Sequence, residues 1–301
     1  MPAVIEAEGL RKEYADTVGV DRVDLSVDQG AMTGFIGPNG AGKSTTIRLL
    51  LGLLKPTEGR SFLFGNPTWK MDSSVFLRVG YLPSTVSYFD RMRVGAFLKA
   101  AGRFYDTDCS ARAAELCALL GVDLSRRFGE LSMGNRKKVG IVQCFMHRPE
   151  LVVLDEPTSG LDPLVQARFF SLLREENERG VTIFLSSHTL SEVQDHCRTV
   201  VIIRGGRIVE TGDVRALRKA QFRRIRLIAS ADAHEAVSRL DAAAAESRDG
   251  DAAVYLFRGP IAGFLAAVDS EAVRDLIIEE PSLEEIFLHY YQGRGASGDA
   301  E

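Results

Sequence analysis

Gly37-Pro38-Asn39-Gly40-Ala41-Gly42-Lys43-Ser44-Thr45 fits the pattern G-x-x-x-x-G-K-[S/T]. It stands between an apolar run, Ala31 to Ile36, that reads as a strand, and a helical pattern from Ser44 to Leu54. Strand, glycine loop, helix is the layout of a phosphate-binding unit. Glycines let backbone N–H groups converge on phosphate oxygens, and the N-terminus of the helix adds a favourable dipole. In such a unit Lys43 reaches the β- and γ-phosphates, and Ser44 can ligate Mg²⁺.

Outward from this loop the chain alternates strands and helices. Val4 to Glu8 reads as a strand, and further apolar strands follow at Leu151–Leu154, Val181–Leu185 and Val200–Ile203. Helical patterns at Pro163–Glu178 and Leu190–Cys197 separate them, which predicts an α/β fold with a mostly parallel sheet and crossover helices. Between the first helix and Leu151 lies a helical subdomain at about 85–147, with amphipathic patterns at Val94–Phe104, Cys109–Leu120 and Met133–Met146. After Gly205-Gly206 a short hairpin and a helix around Val214–Lys219 close a first domain spanning 1–220, and the basic stretch Arg215 to Arg226 reads as a solvated connector.

The remainder, 221–292, reads as a small α+β domain. Its order is strand Arg224–Ala229, helix Asp232–Leu240, two strands joined at Asp249-Gly250, helix Pro260–Val268, strand Ala272–Ile278 and helix Ser282–Tyr291. Asp-Gly between extended runs is a hairpin turn signal, and the order resembles a split βαβ, ferredoxin-like unit. Residues 293–301 are small and polar and read as a flexible tail.

Composition narrows the class further. The chain has 301 residues, 45% of them hydrophobic and 26% charged, enough for a full core and one large domain plus a small one. A net charge of -4 gives no electrostatic footprint for nucleic acid. Cys109, Cys117, Cys144 and Cys197 form no CxxC pair and have no nearby His at metal-ligand spacing, so they read as reduced, buried small hydrophobes of a cytosolic protein. The start, MPAVIEAEGLRKEY, has no apolar region behind a positive end, and no later stretch approaches the ~18 apolar residues of a membrane span. The expectation is a chain that neither crosses a membrane nor is exported, so any membrane role comes through a partner.

Leu151-Val152-Val153-Leu154-Asp155-Glu156-Pro157 is an apolar strand ending in two carboxylates. Alone, such a pair is commonly a solvated turn. With Lys43 upstream it reads as the acidic half of a nucleotide site: Asp155 holds Mg²⁺, usually through water, and Glu156 polarises the water that attacks the γ-phosphate.

From about Ile5 to Asp213 these residues together resemble an ABC ATPase cassette, a P-loop NTPase with ATP and Mg²⁺ as its cofactors. Tyr14, in Leu10-Arg11-Lys12-Glu13-Tyr14, occupies the place of the aromatic that stacks on adenine in the family. Leu131-Ser132-Met133-Gly134-Asn135 resembles the family signature, with Met133 and Asn135 departing from the usual Gly and Gln. Ser132 and Gly134 keep the hydroxyl and the close backbone approach at a helix N-terminus; in the family this loop binds the γ-phosphate held by the other subunit. The resemblance therefore implies a homodimer, or a heterodimer with another ABC ATPase subunit.

Ser159-Gly160-Leu161-Asp162 resembles the loop that crosses the dimer interface, and Ser186-Ser187-His188 resembles the strand end carrying a γ-phosphate-sensing histidine. In Gly80-Tyr81-Leu82-Pro83-Ser84 the family normally has Gln where this chain has Ser84. That glutamine touches Mg²⁺ and the attacking water, so the substitution bears on coupling.

Pro281-Ser282-Leu283-Glu284-Glu285-Ile286-Phe287-Leu288 resembles the end of ATPase subunits of bacterial drug and natural-product exporters. The resemblance implies a motor subunit at the cytoplasmic face of the membrane, driving a separate membrane-spanning permease. Two other classes fit the sequence less well. A soluble ABC ATPase of the DNA-repair type has long coiled coils before the signature, and the interval from Thr45 to Leu131 has no sustained heptads; a ribosome-acting type usually has two cassettes, and this chain has a single P-loop. A P-loop GTPase or kinase needs a guanine-reading Asn-Lys-x-Asp or an acceptor site, and neither is found.

Overall fold

The first strands owe their length to glycine and to local kinks. In the computed structural model, which describes residues 2–15, 17–214, 216, 222–240, 242–268, 272–279 and 281, β1 (Ala3–Tyr14) and β2 (Thr17–Asp28) pair antiparallel, with Ile5 opposite Val27 and Ala7 opposite Leu25. Their register shifts twice between Ala7 and Lys12, where Gly9 (φ 55°) and Arg22 (φ 50°) adopt left-handed backbone. The strand read from Val4 to Glu8 thus continues to Tyr14, and its partner, whose alternation is broken at Arg22, was not anticipated.

β3 (Met32–Ile36) is buried at every position, as a strand covered on both faces requires. It ends in the glycine loop, from which α1 (Lys43–Leu50) runs beneath the antiparallel layer formed by β2, β1, β4 (Glu58–Leu63) and β5 (Asn66–Pro67). Ile47, Leu49 and Leu50 of α1 share one core with Ile5, Ala7, Leu25 and Leu63 of that layer and with Phe35 and Val153 of the sheet beyond. The helix that opens the phosphate-binding unit is thereby fixed from two sides.

After α2 (Ser73–Phe76), capped by Asp72, comes β6 (Val79–Leu82). Next stand α3 (Val94–Gly102), α4 (Ser110–Leu120) and α5 (Met133–Phe145), the expected helical insertion. Tyr88, Phe97 and Phe128 form its aromatic centre, with Tyr88 stacked on Phe128 at 4.1 Å. α5 lies hard against β6: a methyl group on Gly80 would stand 2.3 Å from the Cys144 carbonyl oxygen.

β7 (Leu151–Asp155), α6 (Pro163–Glu178), β8 (Thr182–Ser187), α7 (Leu190–His196), β9 (Thr199–Arg204) and β10 (Arg207–Asp213) complete the cassette-like part. The sheet order is β10-β9-β3-β8-β7-β6, and the pairs β3–β8, β3–β9, β7–β8 and β6–β7 are parallel. Strand β3 at the centre, crossed over in both directions, places the glycine loop at the carboxyl edge beside the ends of β7 and β8. All four cysteines are buried.

The chain divides into two compact units at Thr211/Gly212. In the second, β11 (Phe222–Ala229), α8 (Ala231–Ser238), β12 (Ala243–Asp249), β13 (Ala252–Arg258), α9 (Ile261–Ala267) and β14 (Val273–Glu279) form an antiparallel sheet of order β12-β13-β11-β14. With β11 and β12 separated by β13, this is the split βαβ order expected of a ferredoxin-like unit. Ile225, Leu227, Tyr255, Phe257 and Phe264 make its core. Of the sequence expectations, the helix Ser282–Tyr291, the tail 293–301, and most of both the helix near Val214–Lys219 and the beginning of the connector lie outside the described residues.

One buried ion pair ties the insertion to the sheet's crossover helix. Arg112 of α4 pairs with Glu176 of α6, their side chains 5% and 6% exposed; Arg112 also meets Glu115 at 2.6 Å, and Glu176 meets Arg179 at 3.0 Å. Removing one partner of such a pair strands a buried charge. Glu176→Ala is expected to lower the unfolding free energy by ~3–5 kcal/mol in urea denaturation. Arg112→Met should cost about as much, since each member of the pair keeps only one more exposed partner, Glu115 for Arg112 and Arg179 for Glu176, and the double change Arg112→Met with Glu176→Leu should recover most of the loss.

Candidate active site

The glycine loop is closed by its own backbone. Ala41 N–H donates to the Pro38 carbonyl at 3.1 Å, Gly206 N–H to the Ala41 carbonyl at 3.0 Å, and Thr46 N–H to the Gly42 carbonyl at 2.8 Å. Gly42 has φ 104°, and a methyl group there would stand 2.5 Å from the Gly19 carbonyl oxygen, so both the conformation and the space demand glycine. The loop hands the chain to α1 at Lys43, whose side chain is only 5% exposed.

Lys43 Nζ donates to the carbonyls of Gly37 at 2.6 Å and Pro38 at 3.1 Å and lies 3.3 Å from Glu156 Oε1. The other carboxylate oxygen of Glu156 stands 3.3 Å from His188 Nδ1. Lys43, Glu156 and His188 thus form a continuous polar line from the loop, through the residue after β7, to the residue after β8. Glu156 has φ 48°, uncommon for a side chain of its size. Its N–H is held from β8, by the Ser186 carbonyl at 3.2 Å and the Ser186 hydroxyl at 3.0 Å.

The same hydroxyl donates to Asp155 Oδ1 at 2.7 Å. Asp155 is 1% exposed, and its second oxygen, Oδ2, is buried without a hydrogen-bond partner. A buried carboxylate oxygen left unpaired is costly in an apolar interior and fits a site that receives a cation.

Around this line runs a cleft of about 260 Å³, lined by Gly19, Asn39, Gly40, Gly42, Lys43, Ser44, Thr45, Ser84 and Glu156. Tyr14 stands at its margin: a methyl group on Gly19 would come within 3.0 Å of Tyr14 Cε2, and the ring is 43% exposed with Lys12 Nζ 5.4 Å from its centroid. Ser132, Gly134 and Asp162 are not in the lining. Ser132 caps α5, accepting from Asn135 N–H at 3.3 Å, and Asp162 caps α6, accepting from Val165 N–H at 3.0 Å. Gly134 packs against the 159–162 stretch so closely that a methyl group would stand 2.3 Å from the Gly160 carbonyl oxygen. The sequence-predicted residues therefore fall into two groups, one around Lys43 and one around the N-terminus of α5.

Lys137 was missed by the sequence reading. It is 2% exposed, and its Nζ donates to the carbonyls of Ser84 at 2.8 Å and Pro83 at 3.2 Å. Burial pushes its pKa down to about 8, against the pull of Asp155 and Glu156, whose charges favour the ammonium. The signal was present: Lys137 shares a helical face with the apolar Ile141 and Cys144, both buried.

The chain is similar to known proteins in both sequence and fold. A family profile described as ABC transporter matches residues 20–159. The bacitracin transport ATP-binding protein BcrA of Bacillus licheniformis is 34% identical over 213 residues, which cover 70% of this chain and 70% of that protein. The Nod factor export ATP-binding protein I of Cupriavidus pinatubonensis is 34% identical over 217 residues, 70% of this chain and 67% of that protein. A solved structure of the ATP binding subunit of an ABC transporter matches with TM-score 0.68 at 29% identity, over 72% of this chain and 92% of that one. The chain belongs to the ABC transporter family, as one of its ATP-binding subunits, and its enzymatic activity is ATP hydrolysis.

Lys43→Ala removes a nearly buried cation and leaves the Glu156 carboxylate with His188 as its remaining side-chain partner. Loss of a charge-assisted contact of ~1.5–3 kcal/mol corresponds to ATP binding weaker by about 10- to 150-fold. Nucleotide titration is the check, and unchanged affinity would refute the assignment of the cleft to phosphate.

Proposed function

We propose that this chain is the motor subunit of an exporter, working at the cytoplasmic face of the membrane and coupling ATP-driven closure of a dimer to a separate permease. What carries the reading is the polar line Lys43–Glu156–His188 at the carboxyl edge of the sheet, with the unpaired Asp155 Oδ2 beside it. The transport of bacitracin by one relative and the export of Nod factor by another, as their names state, support an exporter. No helix among the described residues is long and apolar enough to cross a membrane; in this reading the spanning part belongs to the permease.

In this reading the phosphates of ATP lie on the loop and take Lys43 from Glu156, because a γ-phosphate carries more charge than one carboxylate. Glu156, released from Lys43, orients and polarises the attacking water, and His188 holds the far carboxylate oxygen and senses the γ-phosphate. Ser44 and Asp155 are the residues that would hold Mg²⁺, which when bound would neutralise charge on the phosphate oxygens. Tyr14, at the margin beside Gly19, offers an aromatic face to the adenine.

Ser132, Gly134 and Asp162 stand apart from this cleft, which supports their serving a site held by a second ABC subunit, identical or homologous. The permease has a surface to meet on the helical insertion. A groove of about 640 Å³ there is lined by Phe76, Phe89, Met92, Phe97, Phe104 and Tyr105, and Phe89 and Phe104 are 78% and 79% exposed.

Glu156→Gln keeps size and most hydrogen bonding but not the carboxylate. ATP binding is expected to persist while hydrolysis slows ~10²–10⁴-fold, with the ATP-bound dimer accumulating on size exclusion. A mutant that stays monomeric in Mg-ATP, under conditions where the native pair assembles, would overturn closure.

Ser132→Arg should spare ATP binding to its own Lys43 loop and block the contact across the dimer. Mixing it with Lys43→Ala brings both lesions to one site of a mixed homodimer and neither to the other, so ATPase activity should partly return. No recovery in proven mixed dimers would count against the action in trans.

A further inference from the structure

Lys137 is an ammonium placed where the helix packing calls for an apolar side chain. It lies on α5, three residues beyond Gly134, and faces the loop that follows β6 rather than solvent. Its acceptors are main-chain: the carbonyls of Pro83 and Ser84 at 3.2 and 2.8 Å. Ser84 in turn lines the cleft together with Lys43 and Glu156. One side of residue 84 therefore forms the wall of the cleft, while its carbonyl is gripped by α5.

Serine is short, so this part of the wall is located by its backbone. Fixing a carbonyl pair with a buried cation gives a directional hold that an apolar contact lacks, since the ammonium must stay within hydrogen-bond reach of both oxygens or be left unpaired. The carboxylates of Asp155 and Glu156 lie near enough to favour its charge, so the cation also belongs electrostatically to the reacting end of β7.

We propose that Lys137 is a positioning residue for ATP hydrolysis: its ammonium clamps the backbone of Pro83 and Ser84 to α5, and so sets where the Ser84 wall stands relative to Glu156. The inference rests on the cleft around Lys43 being the nucleotide site. It adds a link from the helix carrying Ser132 and Gly134 to the hydrolytic side of that cleft. Lys137 is not among the residues that line the cleft; it acts through the loop.

The test uses the full chain with Mg-ATP and the variants Lys137→Met, Lys137→Gln and Lys137→Arg. Misplacement of a reacting wall by about 1 Å can lower a rate ~10²-fold, so Lys137→Met is expected to lower kcat ~10- to 100-fold. The ATP dissociation constant should stay within about twofold, because the Lys43 loop is untouched. Hydrogen exchange should quicken in the peptide following Leu82 and stay unchanged in β7 and along α5. Lys137→Arg, which keeps charge and donors, should restore most of kcat.

Should Lys137→Met not fold, Lys137→Gln, which keeps two donors and sheds the charge, carries the same measurements, with a smaller fall expected. A folded variant with native kcat would overturn the proposal. So would a loss of kcat accompanied by faster exchange throughout α5 and a lower melting temperature, the pattern of a residue needed only for packing. Failure of the nucleotide site itself is distinguished by Lys43→Ala: unchanged ATP affinity in that variant removes the site, whatever Lys137 does.

Discussion

The structure around the cleft depends on keeping one cation, Lys43, nearly buried and never unpaired. An ammonium with 5% of its side chain exposed needs acceptors at every donor, and the loop turns its own carbonyls at Gly37 and Pro38 inward to supply two. That turn brings the loop backbone against its neighbours: a methyl group on Gly37 would stand 2.4 Å from the Ile203 carbonyl oxygen, and one on Gly42 2.5 Å from that of Gly19. The third partner, Glu156 at 3.3 Å, attracts Lys43 by ~5 kcal/mol gross at an effective dielectric constant of about 20. In the proposed function a triphosphate would bring more negative charge to Lys43 than Glu156 does, so the pair would be stable and yet exchangeable.

Register is what puts Glu156 there. In the parallel pair β7–β8, Asp155 stands opposite Ser186, and the single Ser186 hydroxyl serves both acids, donating to Asp155 Oδ1 and accepting from the Glu156 N–H. These bonds, with the Ser186 carbonyl, hold Glu156 at φ 48°, a conformation costing on the order of 1–3 kcal/mol that persists only where neighbours over-determine it. Both strands are buried on both faces, and a slip by one residue in either direction would take Asp155 from its place opposite Ser186. The hydrophobic pattern of the two strands is therefore a condition of the chemistry at their ends.

Much of this was legible before any coordinates. The loop, the acidic pair and the fully apolar strands are local signals, and the helix Pro163–Glu178 carries its own start in Asp162 and Pro163. What escaped the sequence reading has physical reasons. β2 was missed because a left-handed Arg22 breaks its period of two, and β1 was read short because Gly9 interrupts it. The backbone of Glu156 is strained by contacts with β8, thirty residues on, and carries no local mark. Periodicity places Lys137 on the buried face of α5, but its acceptors belong to a loop more than fifty residues earlier.

Helix α5 consequently meets two loops within a single turn. Gly134 packs on Gly160, and Lys137 holds the carbonyls of Pro83 and Ser84. Three residues along a helix are a rise of about 4.5 Å, and a helix bends little over that length, so the two contacts cannot move independently. A rotation of the helical insertion that carries the N-terminus of α5 must shift the Gly160 stretch, the Ser84 wall, or both. The buried pair Arg112–Glu176 holds the same insertion to α6 through α4, a second attachment. The geometry thus couples the N-terminus of α5 to the wall of the cleft through side chains that are themselves almost entirely out of water.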